Sequence, residues 1–398
     1  MKRPDSLVRR TDWPSSTSRP VVTPLQPSVV YASPDPDALD AQYEGATGYT
    51  YAREGHPNAD VLAAKIDMLE GAPVLFEPAG IITGSGMSAI SATFLGLLRA
   101  GDHVLGGDQL YGRTLRLMND DLPRLGIATS LADPTDAAAI EAAIRPETRM
   151  IVVEAISNPT IRVADMKGIA AIARDRGILL VVDNTFTTPR LYQPFAHGAD
   201  IVIHSVTKLL AGHSDVTLGY VAARDPAHRD AIMTANVTWG LTPSPYECWL
   251  AERGLHSFDL RLARAQNTAA RLGAALAEVP GVARVIYPTR PDHPDHNRAV
   301  ALFAGQGGNM LSFELEGGRA AANAFTRAAP DIAFAPTLGD VGTTLSHPAS
   351  SSHRALTPAA RAAIGISEGF FRVSVGIEEP DLLIPEMVNA ARIATEAS

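Results

Sequence analysis

The chain is organised around one stretch, residues 200–214, which reads DIVIHSVTKLLAGHS. Its pattern predicts a short buried strand over 201–203, followed by small hydroxyl residues, a lysine and a glycine turn. A lysine directly after an apolar strand is unusual, because an ammonium group seldom leaves water unless it is paired or takes part in chemistry. Lys208 is therefore the residue that most needs an explanation.

Lysine is scarce in this chain, which contains only Lys2, Lys65, Lys167 and Lys208. Lys2 belongs to a polar terminus, and Lys65 and Lys167 lie on helical patterns that predict solvated faces. If the protein uses an amine as a nucleophile, Lys208 is the candidate. Burial lowers the pKa of a lysine, which makes its amine able to form an imine with an aldehyde.

Two upstream segments supply what pyridoxal phosphate requires, namely an acid for its ring nitrogen and donors for its phosphate. Residues 178–182, ILLVV, predict a buried parallel strand that delivers Asp183 at its carboxyl end. Residues 84–88, GSGMS, open a predicted helix whose amides could hold the phosphate, and Ser205 and Thr207 add hydroxyls. On spacing alone, Asp183 could equally cap the turn that follows it.

Composition limits the class of protein. The 398 residues are 46% hydrophobic and 19% charged, which is typical of a compact globule with room for two packed units. The net charge of -9 argues against nucleic acid as a partner. No stretch approaches the roughly 20 apolar residues that cross a bilayer, and the N-terminus lacks a signal-peptide core. The single cysteine, Cys248, predicts a buried apolar role and a reducing cytoplasm.

From about residue 60 the pattern alternates between helices and strands, which predicts an α/β fold with a mostly parallel sheet covered on both faces. A helical run over about 245–278 then leads to further strands and helices. We expect an N-terminal arm at 1–50, ordered by a second subunit, a large cofactor-binding domain at 51–255 and a smaller α/β domain at 256–398. Predicted helices lie near 60–70, 87–98, 112–125, 135–144 and 166–176, and predicted strands at 103–105, 127–131, 150–153, 178–182, 282–287, 309–314 and 371–375.

Other segments match a known family in the family's order. They are YTYAREG at 49–55, SGM at 85–87, LYG at 110–112, SNP at 157–159, VDNT at 182–185, SHPA at 346–349 and RVSVG at 372–376. With 200–214, they resemble the Cys/Met-metabolism (transsulfuration) family of pyridoxal-phosphate enzymes. That family includes cystathionine gamma-synthase, cystathionine lyases, methionine gamma-lyase and homoserine sulfhydrylases. The resemblance covers roughly residues 45–390.

The resemblance implies an aspartate-aminotransferase-like (fold type I) architecture and a role for each matching residue. Lys208 would form the imine with pyridoxal 5'-phosphate and then move protons, and Asp183 would hold the ring nitrogen. Tyr111 would stack on the cofactor and could shuttle protons. Other implied cofactor ligands are Gly86, Met87, Ser205 and Thr207, with Tyr51 and Arg53 reaching the phosphate of a neighbouring subunit, and implied substrate ligands are Asn158, Thr337 and Arg372.

The same residues have plainer interpretations when they are taken singly. Arg53 would be a surface arginine, Tyr111 a half-buried core residue, and Arg372 the partner of a surface acid. Asn158 before proline would only mark a turn. A metal site at His293 and His296, or at His347 and His353, is not expected, because no carboxylate and cysteine set completes it.

Four departures from the family pattern stand out, namely Leu209, Arg113, Gly342 and the pair 155–156. Arg113 could meet an anionic or acceptor-rich leaving group, or its side chain could equally turn outward. Fold and cofactor survive these departures, whereas the substrate assignment does not.

We expect a pyridoxal-phosphate-dependent lyase that carries out γ-elimination on a sulfur-containing or O-substituted homoserine-type L-amino acid. The products would be a 2-oxo acid and ammonia. The alternatives are a γ-replacement synthase, a β-lyase and, least expected, a non-catalytic cofactor-binding relative. The single cysteine favours a cytoplasmic location, and the resemblance further implies a homo-oligomer, a dimer with shared sites that assembles into a tetramer.

Overall fold

The structure is a computed structural model that describes residue 8 and residues 14–45, 48–73 and 79–396. Lys2 and the first cationic residues of the N-terminal arm lie outside the described part. Within the arm, helix α1 spans Pro36–Tyr43, which sequence reasoning did not predict. Its start is local, because the Asp35 carboxylate accepts a hydrogen bond from Ala38 N at 2.8 Å and Pro36 follows directly.

The large sheet has seven strands, and all but one of them run parallel. The odd strand, β7 (Gly219–Ala223), runs antiparallel to both of its neighbours, β1 and β6. The predicted mostly parallel α/β fold is thus confirmed. The order across the sheet is β1 (Gly80–Thr83), β7, β6 (Ile201–Ser205), β5 (Leu179–Asp183), β4 (Thr148–Glu154), β2 (His103–Gly107) and β3 (Ala128–Ala132).

Both faces of this sheet are buried. Along β5, Leu180 and Val182 belong to one apolar cluster and Val181 belongs to another on the opposite side. Successive side chains of a strand point to opposite faces, so an all-apolar strand implies cover on both. The covering helices are α2 (Pro57–Glu70), α3 (Gly86–Leu97), α4 (Gly112–Arg116), α5 (Ala137–Ala142), α6 (Met166–Arg176), α7 (Thr188–Leu191), α8 (Pro226–Thr238) and α9 (Pro245–Leu255).

A second sheet of five strands lies in the C-terminal part and is mostly antiparallel. On its central strand, Phe371 and Val373 pack into an apolar cluster with the surrounding helices, and Arg372 between them faces the large sheet region. The elements of this part are α10 (Phe258–Ala277), β8 (Val282–Ile286), α11 (His296–Leu302), β9 (Met310–Leu315), α12 (Gly318–Ala328), β10 (Ala333–Phe334), β11 (Thr344–Ser346), α13 (Pro358–Ala363), β12 (Phe370–Ser374) and α14 (Pro380–Glu396).

Two predicted helices are broken in the structure. The run expected over 245–278 consists of α9 and α10, separated at His256 and Ser257. After this break, Arg261 of α10 donates to the carbonyl oxygens of Leu209 and Leu210, the two residues that follow Lys208, at 2.9 and 3.0 Å. The helix expected over 112–125 continues past α4 as a π-helical turn over 117–121 and a 3-10 turn over 122–125, where Pro123 removes an amide donor.

The arm packs partly on its own chain. Trp249 Nε1 donates to Thr23 O at 2.8 Å, and Asn58 bonds the backbone of Pro24 and Gln26. These contacts lie within one chain, and the expectation that a second subunit orders the arm stays a prediction. Among the described helices, none combines the length and the hydropathy that a membrane span needs.

Candidate active site

A cavity of about 230 Å³ lies at the carboxyl edge of the large sheet, facing the C-terminal part. Three neighbouring strands each end on a polar side chain there, namely Glu154 of β4, Asp183 of β5 and Ser205 of β6. Ligands of open α/β sheets bind at this edge, because the carboxyl ends of parallel strands converge on it. The predicted residues that line it are Gly86, Met87, Tyr111, Asn158, Asp183, Ser205, Thr207, Lys208, Thr337 and Arg372.

Lys208 lies in the turn after β6, and its Nζ donates to the Thr337 hydroxyl at 3.3 Å. The Thr337 loop comes so close because Gly339 adopts a φ of +84°, and a Cβ there would lie 2.5 Å from Leu209 N. Burial lowers the pKa of Lys208, and the charge of Arg372 lowers it further. The amine is therefore easier to deprotonate than that of an exposed lysine.

Asp183 is held by the residue two positions after it. Thr185 donates to Asp183 Oδ1 from its hydroxyl at 2.6 Å and from its amide at 3.0 Å. Burial raises the pKa of Asp183, while the Thr185 bonds and the charge of His204 act in the opposite direction. His204 is itself fully buried against Glu70. The carboxylate thus has its own support and a free side toward the cavity, as the acid partner of a pyridine nitrogen requires.

The start of α3 provides the anion-binding end of the cavity. Ser85 caps this helix through a bond from Ser88 N at 3.0 Å. Gly86 lets the helix approach β6, since a Cβ there would lie 2.7 Å from the Ser205 Cβ. The Ser205 hydroxyl makes no hydrogen bond to the described residues, so it is available to a phosphate.

Thr207 lines the cavity, but its hydroxyl is engaged elsewhere. It donates to Leu218 O at 3.1 Å and accepts from Leu218 N at 3.0 Å. In this arrangement its proton is not directed at a phosphate, so the implied role of Thr207 stays a prediction. Thr217, the neighbour of Leu218, also lines the cavity and was not predicted from sequence.

Arg372 carries a buried charge with no acid beside it. Its Nη1 donates to Asn158 Oδ1 at 2.8 Å and its Nη2 to Thr337 O at 2.6 Å, while its Nε has no partner in the described structure. Only 6% of the residue is exposed, and burial lowers the pKa of its guanidinium to about 10. A guanidinium of this kind is suited to bind a carboxylate that arrives with a ligand.

Three predicted site residues are not brought to the cavity within one chain. Tyr51 and Arg53 are exposed, with the Arg53 guanidinium 5.5 Å from the Tyr51 ring and 3.5 Å from the Glu54 carboxylate. Arg113 is exposed on α4. The position of the first two agrees with a role in another subunit, and the role of Arg113 stays a prediction.

Sequence reasoning missed Glu154, although its signal was present. The strand MIVVE at 150–154 ends on an acid in the same way as LLVVD at 179–183, and the two acids are register partners in adjacent strands. Glu154 Oε1 accepts a hydrogen bond from Tyr111 N at 2.7 Å.

The remaining singled-out side chains have structural contacts. His293 bonds Ile161 O at 2.9 Å, and His347 bonds Ser350 and Glu368 O. In the described part of the chain no three acidic, histidine or cysteine side chains gather as a metal site would require. Cys248 is buried, as the apolar interpretation predicted, and its burial raises the pKa of its thiol.

The cavity fits pyridoxal phosphate on its own geometry. It combines an amine of lowered pKa, a supported carboxylate at a strand end, and a capped helix start that a glycine brings against a free hydroxyl. These are the three functions that the aldehyde, the ring nitrogen and the phosphate need.

Comparisons with known proteins agree with this fit. Residues 6–392 match the model of the Cys/Met metabolism PLP-dependent enzymes. The chain is 37% identical to L-methionine gamma-lyase of Pseudomonas putida over 94% of this chain and 92% of that protein. It is 38% identical to cystathionine beta-lyase of Bacillus subtilis, over 86% of this chain and 85% of the relative.

A solved structure extends the agreement to the fold. Cystathionine gamma-synthase from Xanthomonas oryzae pv. oryzae, in complex with aminoacrylate and cysteine, superimposes with a TM-score of 0.88 at 35% identity, covering 95% of this chain and 94% of that one. The fold type I architecture is thereby confirmed, as is the resemblance found in the motifs. The chain belongs to the Cys/Met metabolism family of pyridoxal-phosphate-dependent enzymes.

Proposed function

We propose that the enzyme catalyses γ-elimination from a sulfur-containing or O-substituted homoserine-type L-amino acid, releasing a 2-oxo acid and ammonia. The observation that carries an amino-acid substrate is the buried Arg372 guanidinium, which has no acid partner and lies in the same cavity as Lys208. Relatives named methionine gamma-lyase and cystathionine gamma-lyase support the γ-elimination.

In this proposal Arg372 binds the substrate carboxylate. Its contacts to Asn158 and Thr337 O hold the plane of the guanidinium, so its charge is already oriented at the cavity wall when a carboxylate arrives. Anchoring the carboxylate fixes how the Cα–H bond is presented to the Lys208 side of the cavity. Asp183 would face the ring nitrogen, and the bound cofactor would supply the electron sink that the reaction needs.

Lys208 is the proposed base. Nζ would hold the cofactor through its aldehyde, and once substrate is bound it would take the proton from Cα and return protons toward Cβ and the leaving group. Its lowered pKa favours the neutral amine, which is the form that accepts a proton. Thr337 holds Nζ by its hydroxyl, and Tyr111, at the cavity wall, is the second group able to exchange protons.

We also propose the assembly and the organisation of the chain. Residues 51–255 form the cofactor-binding domain and residues 256–398 the smaller domain. The exposed Tyr51 and Arg53 act in the site of a second copy, within a dimer that associates further into a tetramer. A cytoplasmic location is supported by the single, buried cysteine.

A substrate panel tests the function. Holoenzyme is incubated with L-methionine, L-cystathionine, O-acetylhomoserine and O-succinylhomoserine, each with and without an added thiol. We expect 2-oxobutanoate and ammonia from at least one of them in the absence of thiol. Turnover that requires the thiol would instead establish γ-replacement, for which the similarity to cystathionine gamma-synthase is the supporting observation. Pyruvate as the only oxo acid would establish a β-lyase.

A further inference from the structure

Two carboxyl groups lie side by side at the cavity edge, and the proposed function uses only one of them. Glu154 and Asp183 are register partners on adjacent parallel strands, and both line the cavity. Asp183 is supported by Thr185, whereas Glu154 is bonded to the backbone of Tyr111 at 2.7 Å. Only 9% of Glu154 is exposed, and no cation pairs with it in the described structure. A buried carboxyl group that lines a cavity without a cationic partner is expected to have a function there.

The hydrogen bond from Tyr111 N to the Glu154 carboxyl group connects Tyr111 to the end of β4. Tyr111 is the N-cap residue of α4, and its side chain makes no capping hydrogen bond to the helix. Tyr111 is 42% exposed, and its phenol makes no hydrogen bond to the described residues. The ring direction therefore depends on the backbone, which is fixed by the buried Leu110 and by the Glu154 bond.

The charge balance of the edge favours an uncharged Glu154. Burial raises the pKa of Glu154 well above its usual range, and the neighbouring charge of Asp183 raises it further, against the opposite effect of the Tyr111 amide. Lys208 and Arg372 line the same cavity, yet neither forms an ion pair with Glu154. The carbonyl oxygen of a protonated carboxyl group still accepts the Tyr111 N–H, so the contact survives without a charge.

We propose that Glu154 is a positioning residue: as a neutral acid it holds the Tyr111 backbone, sets the Tyr111 ring against the cofactor, and leaves Asp183 as the sole carboxylate toward the ring nitrogen. The inference deepens the proposed function and rests on its assignment of Tyr111. The proposal predicts that an uncharged side chain that accepts the Tyr111 N–H can replace Glu154. A side chain that cannot accept this hydrogen bond should not hold Tyr111 in place.

The test compares Glu154→Met, which keeps the volume and removes the acceptor, with Glu154→Gln, which keeps the acceptor and cannot ionise. Pyridoxal phosphate affinity and the circular dichroism of the bound cofactor are measured without substrate, so they do not depend on which reaction the enzyme performs. We expect Glu154→Met to weaken cofactor binding and lower kcat about tenfold, with altered dichroism and KM within twofold. Glu154→Gln should stay within twofold of wild type in every readout.

A double-mutant cycle with Tyr111→Ala separates positioning from general damage. If Glu154 acts through Tyr111, Glu154→Met adds less than about twofold in the Tyr111→Ala background. Full additivity would overturn the proposal, as would a Glu154→Gln variant as impaired as Glu154→Met, because a charge would then be required. Glu154→Ala replaces Glu154→Met if thermal unfolding shows that the methionine variant does not fold.

The matched control is Glu378→Met, which removes a carboxylate acceptor by the same substitution outside the cavity. Glu378 likewise accepts hydrogen bonds from the amide and the hydroxyl of one residue, Thr343, but it does not line the cavity. Cofactor affinity and dichroism should be unchanged in this variant. A change equal to that of Glu154→Met would mean that loss of a half-buried carboxylate outside the cavity also perturbs the site, which would overturn the proposal.

Discussion

Two arginines, Arg162 and Arg372, each connect the loop after β4 with the C-terminal part. Arg162 has an acidic partner there, whereas Arg372 has none among the described residues. Arg162 donates to Asp295 from Nε at 2.6 Å and from Nη2 at 3.1 Å, and Val163 N donates to the same carboxylate. Arg372 reaches back to Asn158 with no acid beside it. The Arg162 charge is neutralised by an acid of the same chain, whereas the Arg372 charge has no acidic partner in the described part of the chain.

The difference separates structure from function at one junction. A buried cation without a counterion lowers the stability of a fold by several kcal/mol. An arginine that served only to hold two parts of the chain together would therefore be paired with an acid, as Arg162 is. Arg372 is more buried than Arg162, whose side chain is 33% exposed, and it still has no carboxylate partner. We infer that Arg372 is stabilised by the substrate and Arg162 by the protein.

Removing Arg372 is the strongest way to break this comparison. We expect Arg372→Met to lower kcat/KM about 10³-fold, because the substrate loses a desolvated, charge-assisted contact. The free energy of unfolding should stay equal or rise, since an uncompensated buried charge is removed. Steady-state kinetics and urea unfolding measure both. Loss of stability with retained kcat/KM would make Arg372 a structural residue.

Asp295→Asn is the converse variant. It should reduce the free energy of unfolding by about 1 to 3 kcal/mol, the lower part of the range reflecting the partial exposure of Arg162. Turnover per folded molecule should remain within about threefold of wild type. Urea unfolding at neutral pH and kcat on the folded fraction are the measurements. A large loss of turnover without loss of stability would erase the distinction between the two junctions.

The pH dependence of that stability is a finer test. Burial alone would raise the pKa of Asp295, but the hydrogen bonds from Arg162 and Val163 N and the charge of Arg162 lower it. A lowered folded-state pKa contributes stability above the unfolded value of about 4, and this is lost as pH falls through the folded value. The stability gap between wild type and Asp295→Asn should therefore narrow in acid. A gap independent of pH would contradict an ionised pair.

The smallest expected effect concerns Lys208. Burial lowers its pKa first, and the unpaired charge of Arg372 lowers it further. In Arg372→Met the Lys208 pKa should rise, so the pH midpoint for covalent capture of pyridoxal phosphate by apoenzyme should move to higher pH. Stopped-flow absorbance across pH reports the midpoint. A midpoint that stays fixed would mean that Arg372 does not act on the amine.

The sequence signals for the residues that the structure brings to one cavity were local ones. A lone lysine after an apolar strand located Lys208, an acid at the end of another located Asp183, and GSGMS located the helix start at Gly86. Arg372 followed from its motif, and the alternation of β12 explains why it faces away from Phe371 and Val373. Such signals work because strand ends and helix starts are defined over a few residues.

What could not be predicted depends on contacts between distant parts of the chain. The Lys208 contact to Thr337 spans 129 residues and depends on a positive φ at Gly339. The break between α9 and α10 is bridged by Arg261 bonding the Lys208 loop. The hydroxyl of Thr207 turned to Leu218, a direction that no local pattern specifies. The short helix α1 was not predicted, although Asp35 at its N-cap and Pro36 at its first position are typical of a helix start.

The covalent site is the claim on which the rest depends, and reduction with borohydride tests it directly. Holoenzyme is reduced, digested and mapped by mass spectrometry. We predict a single pyridoxyl label on the peptide that contains Lys208, and no label in Lys208→Ala. A label on Lys2, Lys65 or Lys167, or an unchanged label in Lys208→Ala, would contradict the account.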